Sequence, residues 1–235
     1  MSSIVRWMPQ KKSKPFLVLW RGTSLTKTKM SSNPFSSRFI QPGAMAYEFF
    51  GRGSIQSLSN EFLALRSRRG MIVGPHGTGK STLLDALQQD FLTRFPDIPL
   101  VHERFTRTPD SSRGQRVSAS DWPRDSIVIL DGYEQVSLWS RWWLQRASRQ
   151  KRIRLLVTAH ESLRSFDLLW RTSVDDQSAE WIVKNMLQIS NQKDLDANLQ
   201  LLLSSKEWLG SRAQHGQNIR ETLFDMYDWW QSRAR

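Results

Sequence analysis

The amino-acid sequence predicts an α/β fold, in which a parallel β-sheet lies between two layers of helices, with a small helical lid at the C-terminal end. Two observations support this prediction. Short apolar runs alternate with helical segments, as expected of parallel strands buried on both faces; the runs lie at 71–73, 100–105, 126–131, 153–158 and 166–170. From residue 178 onward the apolar spacing is helical, which predicts that the last part of the chain contains helices only.

The loop between the first of these strands and its helix has the pattern of a phosphate-binding loop. Its residues are Gly74, Pro75, His76, Gly77, Thr78, Gly79, Lys80 and Ser81, with Thr82 next. Glycines permit a tight backbone whose N–H groups point at a phosphate, the lysine reaches the β- and γ-oxygens, and the serine hydroxyl is a ligand for Mg²⁺. The helix that follows adds its positive end. We therefore expect these nine residues to bind a nucleoside triphosphate, with ATP and Mg²⁺ as the cofactors.

Acidic residues follow the apolar run at 126–131. Asp131 ends the run, at the edge of the sheet where the ends of parallel strands meet a ligand, so we expect it to orient Mg²⁺ together with Ser81. Glu134 lies three residues later and is the expected base for an attacking water; a first-turn helix Glu is the alternative. Glu103, near the end of the preceding strand, is the alternative base.

These segments resemble the P-loop NTPases. The loop at 74–81 is similar to their Walker A motif, and 127–131 to Walker B. The segment 155–158 resembles the sensor-1 strand of the AAA+ branch, and 216–223 its sensor-2 helix. The resemblance implies the three-layer P-loop sandwich and an ATP hydrolase of the AAA+-like kind, acting as a regulatory or mechanical switch and able to form oligomers. It also implies that Lys80, Glu134, Thr158 and Arg220 act in catalysis. His160 is either a γ-phosphate-sensing switch or a histidine of the loop. One departure is that Glu134 does not directly follow Asp131, and no arginine finger can be assigned.

Other functions stay open. The segment 130–133 is similar to one in small nucleotide kinases, where Arg107, Arg113 or Arg116 would hold a phosphorylated acceptor. A nucleotide-binding interaction module with little hydrolysis is a third hypothesis. Tyr47 resembles the tyrosine that ABC-type ATPases stack on adenine, although the Leu-Ser-Gly-Gly-Gln signature of that class is absent from the sequence.

A cluster of tryptophans lies on the helix predicted for 137–150. Trp139, Trp142 and Trp143 alternate there with Arg141, Arg146 and Arg149. Their spacing favours a core face with a basic outer face. A docking surface for a partner protein is the alternative, because Trp and Arg are favoured interface anchors; stacking on nucleic-acid bases is a third interpretation.

Composition limits the class of protein. A chain of 235 residues with 39% hydrophobic residues, 11 Trp and 11 Phe can form one sizeable domain. The absence of cysteine excludes disulfides, thiolate zinc sites and thiol catalysis. No apolar run is long enough to span a membrane, so we expect a cytoplasmic protein.

The net charge of +12 is concentrated near the N-terminus. Residues 1–47 contain eight basic side chains and no acidic one. We therefore predict three parts: a basic, disordered leader at 1–45, a nucleotide-binding core at 46–175 and a helical lid at 176–235. An organellar transit peptide, or a start at Met30 or Met45, is the alternative for the leader. Nucleic-acid binding stays uncertain, because the positive charge lies mainly in this leader.

Overall fold

A parallel five-stranded sheet forms the centre of the protein. The structure is a computed structural model and describes residues 5–6, 33–41, 43–105 and 117–233. The parallel strands are β2 (Arg69–Val73), β3 (Leu100–Arg104), β4 (Ile127–Asp131), β5 (Arg154–Ala159) and β6 (Asp167–Arg171). A two-residue strand, β1 (Val5–Arg6), pairs antiparallel with β3, and the spatial order is β1-β3-β4-β5-β2-β6. The strand that leads into the predicted loop, β2, therefore lies between β5 and β6.

Helices cover both faces of this sheet. The helices of the described residues are α1 (Ser37–Ile40), α2 (Ile55–Ala64), α3 (Lys80–Arg94), α4 (Leu138–Lys151), α5 (Asp176–Ile189), α6 (Leu195–Leu203), α7 (Lys206–His215) and α8 (Ile219–Arg233), with a 3-10 turn at Tyr133–Gln135. Of these, α2 and α3 pack on one face of the sheet and α4 on the other. Several helices begin at a serine or aspartate whose side chain accepts a hydrogen bond from the first turn, which satisfies a free backbone N–H there; the capping residues are Ser54, Ser137, Asp175 and Ser205.

The alternation of side chains along β4 divides the core into two layers. All five residues of β4 are buried. Ile127 and Ile129 pack in one cluster with residues of α2 and α3, whereas Val128 and Leu130 pack in another with Leu144 of α4. Successive strand residues point to opposite faces, so a continuous apolar run serves both layers. The structure confirms the predicted α/β sandwich.

The C-terminal helices enclose a third cluster. It contains buried residues of α5 to α8, including Val183, Leu202 and Met226. Phe35 is fully buried in the same cluster, and its ring lies edge-on to Trp230 at 5.7 Å between centroids. The predicted leader, 1–45, thus contains a short segment that packs on the helices, while the division of the chain into three parts stays a prediction.

One expectation about packing is wrong. The predicted core face of the tryptophan-rich helix is exposed: α4 buries Ser140, Leu144 and Ser148 instead. These residues recur every four positions, and two of them are small, so this side of the helix can lie close to its neighbours. The three tryptophans therefore fall on the solvent side.

Within the described part of the chain, no helix combines the length and the apolar character needed to cross a membrane.

Candidate functional site

A cleft of about 610 Å³ lies between the carboxyl edge of the sheet and the C-terminal helices. The loop before α3 forms one side of it, and the ends of β4 and β5 form its floor. Its lining includes most of the residues predicted to act on a nucleotide: His76 to Thr82, Asp131, Glu134, Thr158, His160 and Arg220. The fold therefore brings together side chains that are distant in the sequence.

The backbone of the loop requires glycine at several positions. Gly77 and Gly79 have φ angles of 72° and 87°, a region that residues with a Cβ atom rarely adopt. A Cβ atom on Gly74 would lie 2.6 Å from the carbonyl oxygen of Thr172. Thr78 closes the loop, since its hydroxyl donates to the carbonyl of Pro75 at 2.9 Å and pairs with the Thr172 hydroxyl at 2.6 Å.

Lys80, the first residue of α3, folds back over this loop. Its Nζ donates to the carbonyls of Gly74 and Pro75 at 2.6 and 2.7 Å. Burial lowers the pKa of Lys80; the carboxylates of Glu134 and Asp131 oppose that effect, and the positive charge of Arg220 adds to it. The lysine is thus a partly desolvated cation among backbone dipoles.

Asp131 is the centre of a hydrogen-bonded cluster at the end of β4. Ser81 Oγ donates to its Oδ2 at 2.9 Å, and Thr158 Oγ1 donates to its Oδ1 at 2.7 Å. Thr158 also accepts from the N–H of Gly132 at 2.7 Å. Thr158 is buried, and these two bonds hold the Asp131 carboxylate and the following turn in place.

Arg104 is a residue of the site that sequence reasoning missed. Its Nε donates to Asp131 Oδ2 at 3.0 Å, and its guanidinium lies 3.8 Å from Asp85. The parallel register places Arg104 opposite Asp131 at the ends of β3 and β4, and the sequence by itself does not reveal this pairing. The arginine therefore adds a further cation to a cleft that Lys80 and Arg220 also line.

Glu134 lies in the 3-10 turn directly after β4. Its Oε1 is 2.9 Å from His160 Nε2, an ion-pair distance without the angles of a hydrogen bond. Its Oε2 is buried and has no hydrogen-bond partner among the described residues. The backbone around it is fixed by Arg141, whose guanidinium donates to the carbonyls of Glu134 and Val136 at 2.9 Å each.

The two histidine rings of the cleft contact each other at an interplanar angle of 46°. The rings of His76 and His160 are 3.8 Å apart between centroids. His160 Nδ1 lies 3.2 Å from the carbonyl of Gly74 and 3.4 Å from Lys80 Nζ. The pKa of His76 is lowered by burial first, and then by electrostatic interaction with the neighbouring His160 and Lys80. His160 therefore joins the loop to Glu134.

Glu103, the alternative base, has a different environment. The indole Nε1 of Trp122 donates to its Oε1 at 2.9 Å, and both residues are buried. Burial raises the pKa of Glu103, and the Trp122 hydrogen bond opposes that shift. This geometry does not support Glu103 as the base of the cleft.

The C-terminal helices contact the loop through the residue before α8. Asn218, immediately before α8, packs so closely on Gly77 that its Oδ1 occupies the place of a Cβ atom, and this oxygen has no hydrogen-bond partner among the described residues. Ile219 is buried, whereas Arg220 is exposed and lines the cleft. The structure thus places Arg220 facing the loop.

Aromatic side chains line the other end of the cleft. Tyr47 accepts a hydrogen bond from Trp170 Nε1 at 2.9 Å, and its ring lies 3.5 Å from where a Cβ atom on Gly79 would be. Phe50 and Trp181 lie nearby, with ring centroids 5.9 Å apart. Arg107, Arg113 and Arg116, the residues of the kinase hypothesis, lie outside the described residues.

Comparison with known proteins supports the fold. The sequence matches no protein-family model and no curated protein. Among solved structures, it is similar to Hsp104 of S. cerevisiae in complex with ADP, with a TM-score of 0.52 and 12% identity. The match covers 83% of this chain and 32% of the Hsp104 chain, so this chain spans about a third of that length.

A second match is the HORMA:CdnC:Trip13 complex of E. coli MS115-1, at 12% identity over 73% of this chain and 80% of that one. Its TM-score of 0.36 is too low to add support. The likeness to Hsp104 shows the fold alone, which is that of a P-loop NTPase-like α/β protein.

Proposed function

We propose that this protein binds ATP with Mg²⁺ and hydrolyses it, and that the bound nucleotide controls the position of the helical lid. The observation that carries the proposal is the convergence of Lys80, Ser81, Asp131, Glu134 and Arg220 on one cleft next to a glycine-bounded loop. The likeness to an ADP-bound protein supports a nucleotide-dependent function. The protein would then act as a regulatory or mechanical switch of the AAA+-like kind.

The loop residues Gly74 to Thr82 would hold the phosphates. Backbone N–H groups with this curvature form a cradle for an anion, and the helix α3 points its positive end at the same place. Lys80 would leave the carbonyls of Gly74 and Pro75 and move to the β- and γ-phosphate oxygens. Because burial disfavours its charge, an anion at this position would stabilise the charged form of Lys80.

Ser81 and Asp131 would hold Mg²⁺. Their oxygens are already 2.9 Å apart, and Mg²⁺ is commonly bound by one or two protein oxygens together with phosphate and water. The residues present therefore fit the ion. When bound, Mg²⁺ neutralises the charge that develops on the phosphate oxygens. Thr158 and Arg104 would keep the Asp131 carboxylate oriented.

Glu134 would orient and deprotonate the attacking water. One of its oxygens, Oε2, is buried without a hydrogen-bond partner among the described residues and can accept a proton. The bonds from Arg141 to the turn fix the backbone from which the carboxylate projects. His160, at Oε1, would act as a positioning residue that holds the carboxylate until a nucleotide is bound.

Arg220 would couple the γ-phosphate to the lid. It lies at the start of α8, whose buried residues pack it into the helical cluster. A charge-assisted hydrogen bond from Arg220 to a phosphate would draw the lid towards the loop. The position of the lid would then depend on whether ATP or ADP is bound.

The proposal is tested by incubating the purified protein with ATP radiolabelled in the γ-phosphate, in the presence and absence of Mg²⁺. Release of free phosphate that requires Mg²⁺ and is lost in Lys80→Ala supports hydrolysis. Transfer of the label to an added nucleoside monophosphate favours the kinase hypothesis instead. Tight binding without turnover favours an interaction module, and no binding overturns the proposal.

A further inference from the structure

The solvent face of α4 carries an apolar patch that the fold itself does not use. Leu138, Trp139, Trp142 and Trp143 are 79%, 71%, 54% and 47% exposed. The indoles pack on each other, with Trp139 and Trp142 stacked at 5.9 Å and Trp142 and Trp143 edge-on at 4.9 Å. We call these four residues the tryptophan patch. Together they expose on the order of 500 Å² of apolar surface, at the upper end of what monomeric proteins leave in water.

A basic stripe continues this patch along the same side of the helix. Arg146 follows Trp142 and Trp143 by four and three positions, and Arg149 follows Arg146 by three, so they are neighbours on the helix surface. Both arginines are exposed, and neither forms an ion pair with a described residue. The sequence from 138 to 152 contains no acidic residue. The face is therefore apolar at its N-terminal end and positive at its C-terminal end.

We propose that this face binds a segment of a partner protein in which bulky apolar side chains are followed by Asp or Glu residues. The face from Trp139 to Arg149 is about 15 Å long, the length of a short helical or extended segment. Trp and Arg are the residues most enriched among the strong contacts of protein interfaces. The aromatic end would contact the apolar residues of such a segment, and the cationic end would contact its acidic residues.

Other occupants fit the face less well. Single-stranded nucleic acid is bound by aromatic rings placed along a basic groove, whereas here the cations lie beyond the rings. A second copy docked with its helix parallel to this one would bring the arginines together, and in either orientation the apolar area is smaller than the roughly 800 Å² per partner of a stable interface. Residues 7–32 of this chain are basic and contain no acidic residue, so they do not complement the arginines.

The surface is continuous with the candidate site through the start of α4. Ser137 caps the helix, and Arg141, on the same turn as the tryptophans, donates to the carbonyl of Glu134. A bound segment would lie beside the turn that holds the proposed base. The docking proposal does not depend on hydrolysis, and its test uses the protein without nucleotide.

The test begins with a selection from a displayed library of random peptides on the full-length protein. A triple variant with Trp139→Ser, Trp142→Ser and Trp143→Ser serves for counter-selection. Its Tm is measured first, to check that it unfolds at the same temperature as the unmodified protein. We expect enriched peptides that combine large apolar residues with Asp or Glu. An enriched set without acids, or one that the triple variant also binds, would overturn the proposal, as would a selection that enriches nothing.

Quantitative binding of the enriched peptide then separates the two ends of the face. We expect the triple variant to bind the peptide at least tenfold more weakly than the unmodified protein. A double variant with Arg146→Glu and Arg149→Glu keeps the tryptophan patch, and we expect it also to bind at least tenfold more weakly. Leu209→Ser, at an equally exposed apolar residue of α7, is the matched control and should leave the affinity unchanged. If the unmodified protein binds an oligothymidylate and the triple variant does not, the face binds nucleic acid and the proposal is overturned. If the unmodified protein self-associates and the triple variant does not, the face binds a second copy and the proposal is likewise overturned.

Discussion

Glu134 and His160 face each other across the cleft, with Oε1 of the carboxylate 2.9 Å from Nε2 of the imidazole. The other ring nitrogen lies 3.2 Å from the carbonyl of Gly74 and 3.4 Å from Lys80 Nζ. One imidazole therefore contacts both the proposed base and the proposed phosphate ligand. A phosphate that draws Lys80 away from the loop carbonyls would also change the contacts that hold Glu134.

Replacement of Lys80 tests nucleotide binding. Lys80→Ala removes the cation that lies over the loop, so we expect ATP affinity to fall at least tenfold, about 1.4 kcal/mol or more. Isothermal titration calorimetry measures the effect. Lys184→Ala, at an exposed position of α5, should bind ATP like the unmodified protein. Equal affinity in the two variants would contradict the assignment of the loop.

Replacement of Glu134 separates binding from chemistry. Glu134→Gln keeps the shape of the side chain but cannot accept the proton of water, so turnover should fall roughly 10²-fold or more while ATP still binds. Steady-state phosphate release and calorimetry give the two quantities, with the exposed Glu180→Gln as the control. Asp131→Asn should differ, because it should also weaken Mg²⁺-dependent binding. Normal turnover in Glu134→Gln would exclude it as the base.

Arg141 is expected to be a positioning residue for the same step. Arg141→Ala removes two 2.9 Å bonds to the turn that carries Glu134, so kcat should fall several-fold while KM for ATP changes little. Arg141→Lys should restore part of the rate, since an ammonium group can reach one carbonyl. A fall in kcat with a rise in KM and a lower Tm would indicate a general structural role instead.

The buried Glu103 makes the stability depend on pH. Its pKa is raised by burial, so the folded state prefers the protonated form. The resulting stabilisation is complete below the unfolded pKa of about 4.3 and is lost as the pH rises through the folded value. Glu103→Gln keeps an acceptor for Trp122 without a charge, so it should raise Tm at pH 7 relative to the unmodified protein and less so at pH 4.

Thermal unfolding at the two pH values measures this difference. The hydrolysis rate at pH 7 should be unchanged in Glu103→Gln, because the side chain lies in the core with Trp122. A Tm that drops at both pH values, or a large loss of turnover, would show that the carboxylate has another role.

The sequence predicted the central sheet well because a doubly buried strand has a simple signature. The run 126–131 corresponds to β4, whose every residue is buried, and the run 153–158 to β5. Glycines with positive φ, such as Gly77 and Gly79, explain why the loop could be recognised from its residues alone. The conformation of these parts is determined mainly by residues that are close together in the sequence, so it can be predicted from the sequence.

Long-range contacts account for what the sequence did not reveal. Arg104 meets Asp131 only because β3 and β4 pair in one particular register. The tryptophans of α4 could not be placed by periodicity, since a helix with small residues on one side and large ones on another permits either side to face the sheet. Phe35 is buried among helices that lie more than a hundred residues later in the chain.

Replacement of Arg220 tests whether the lid senses the γ-phosphate. The residue lines the cleft at the start of α8, and Asn218 next to it already packs on Gly77. Arg220→Ala should weaken ATP affinity and leave ADP affinity nearly intact, because only the triphosphate extends to this side of the loop. Arg233→Ala, at the exposed end of the same helix, is the matched control.

Hydrogen exchange gives the corresponding structural measurement. In the unmodified protein, ATP should protect residues 178–233 more than ADP does, because a charge-assisted hydrogen bond from Arg220 favours the closed arrangement of the lid. The extra protection should disappear in Arg220→Ala and persist in Arg233→Ala. If ATP and ADP protect the segment equally in the unmodified protein, the lid does not respond to the γ-phosphate. The energy of nucleotide binding would then not be converted into lid movement. This result would favour the nucleotide-kinase hypothesis over the switch hypothesis.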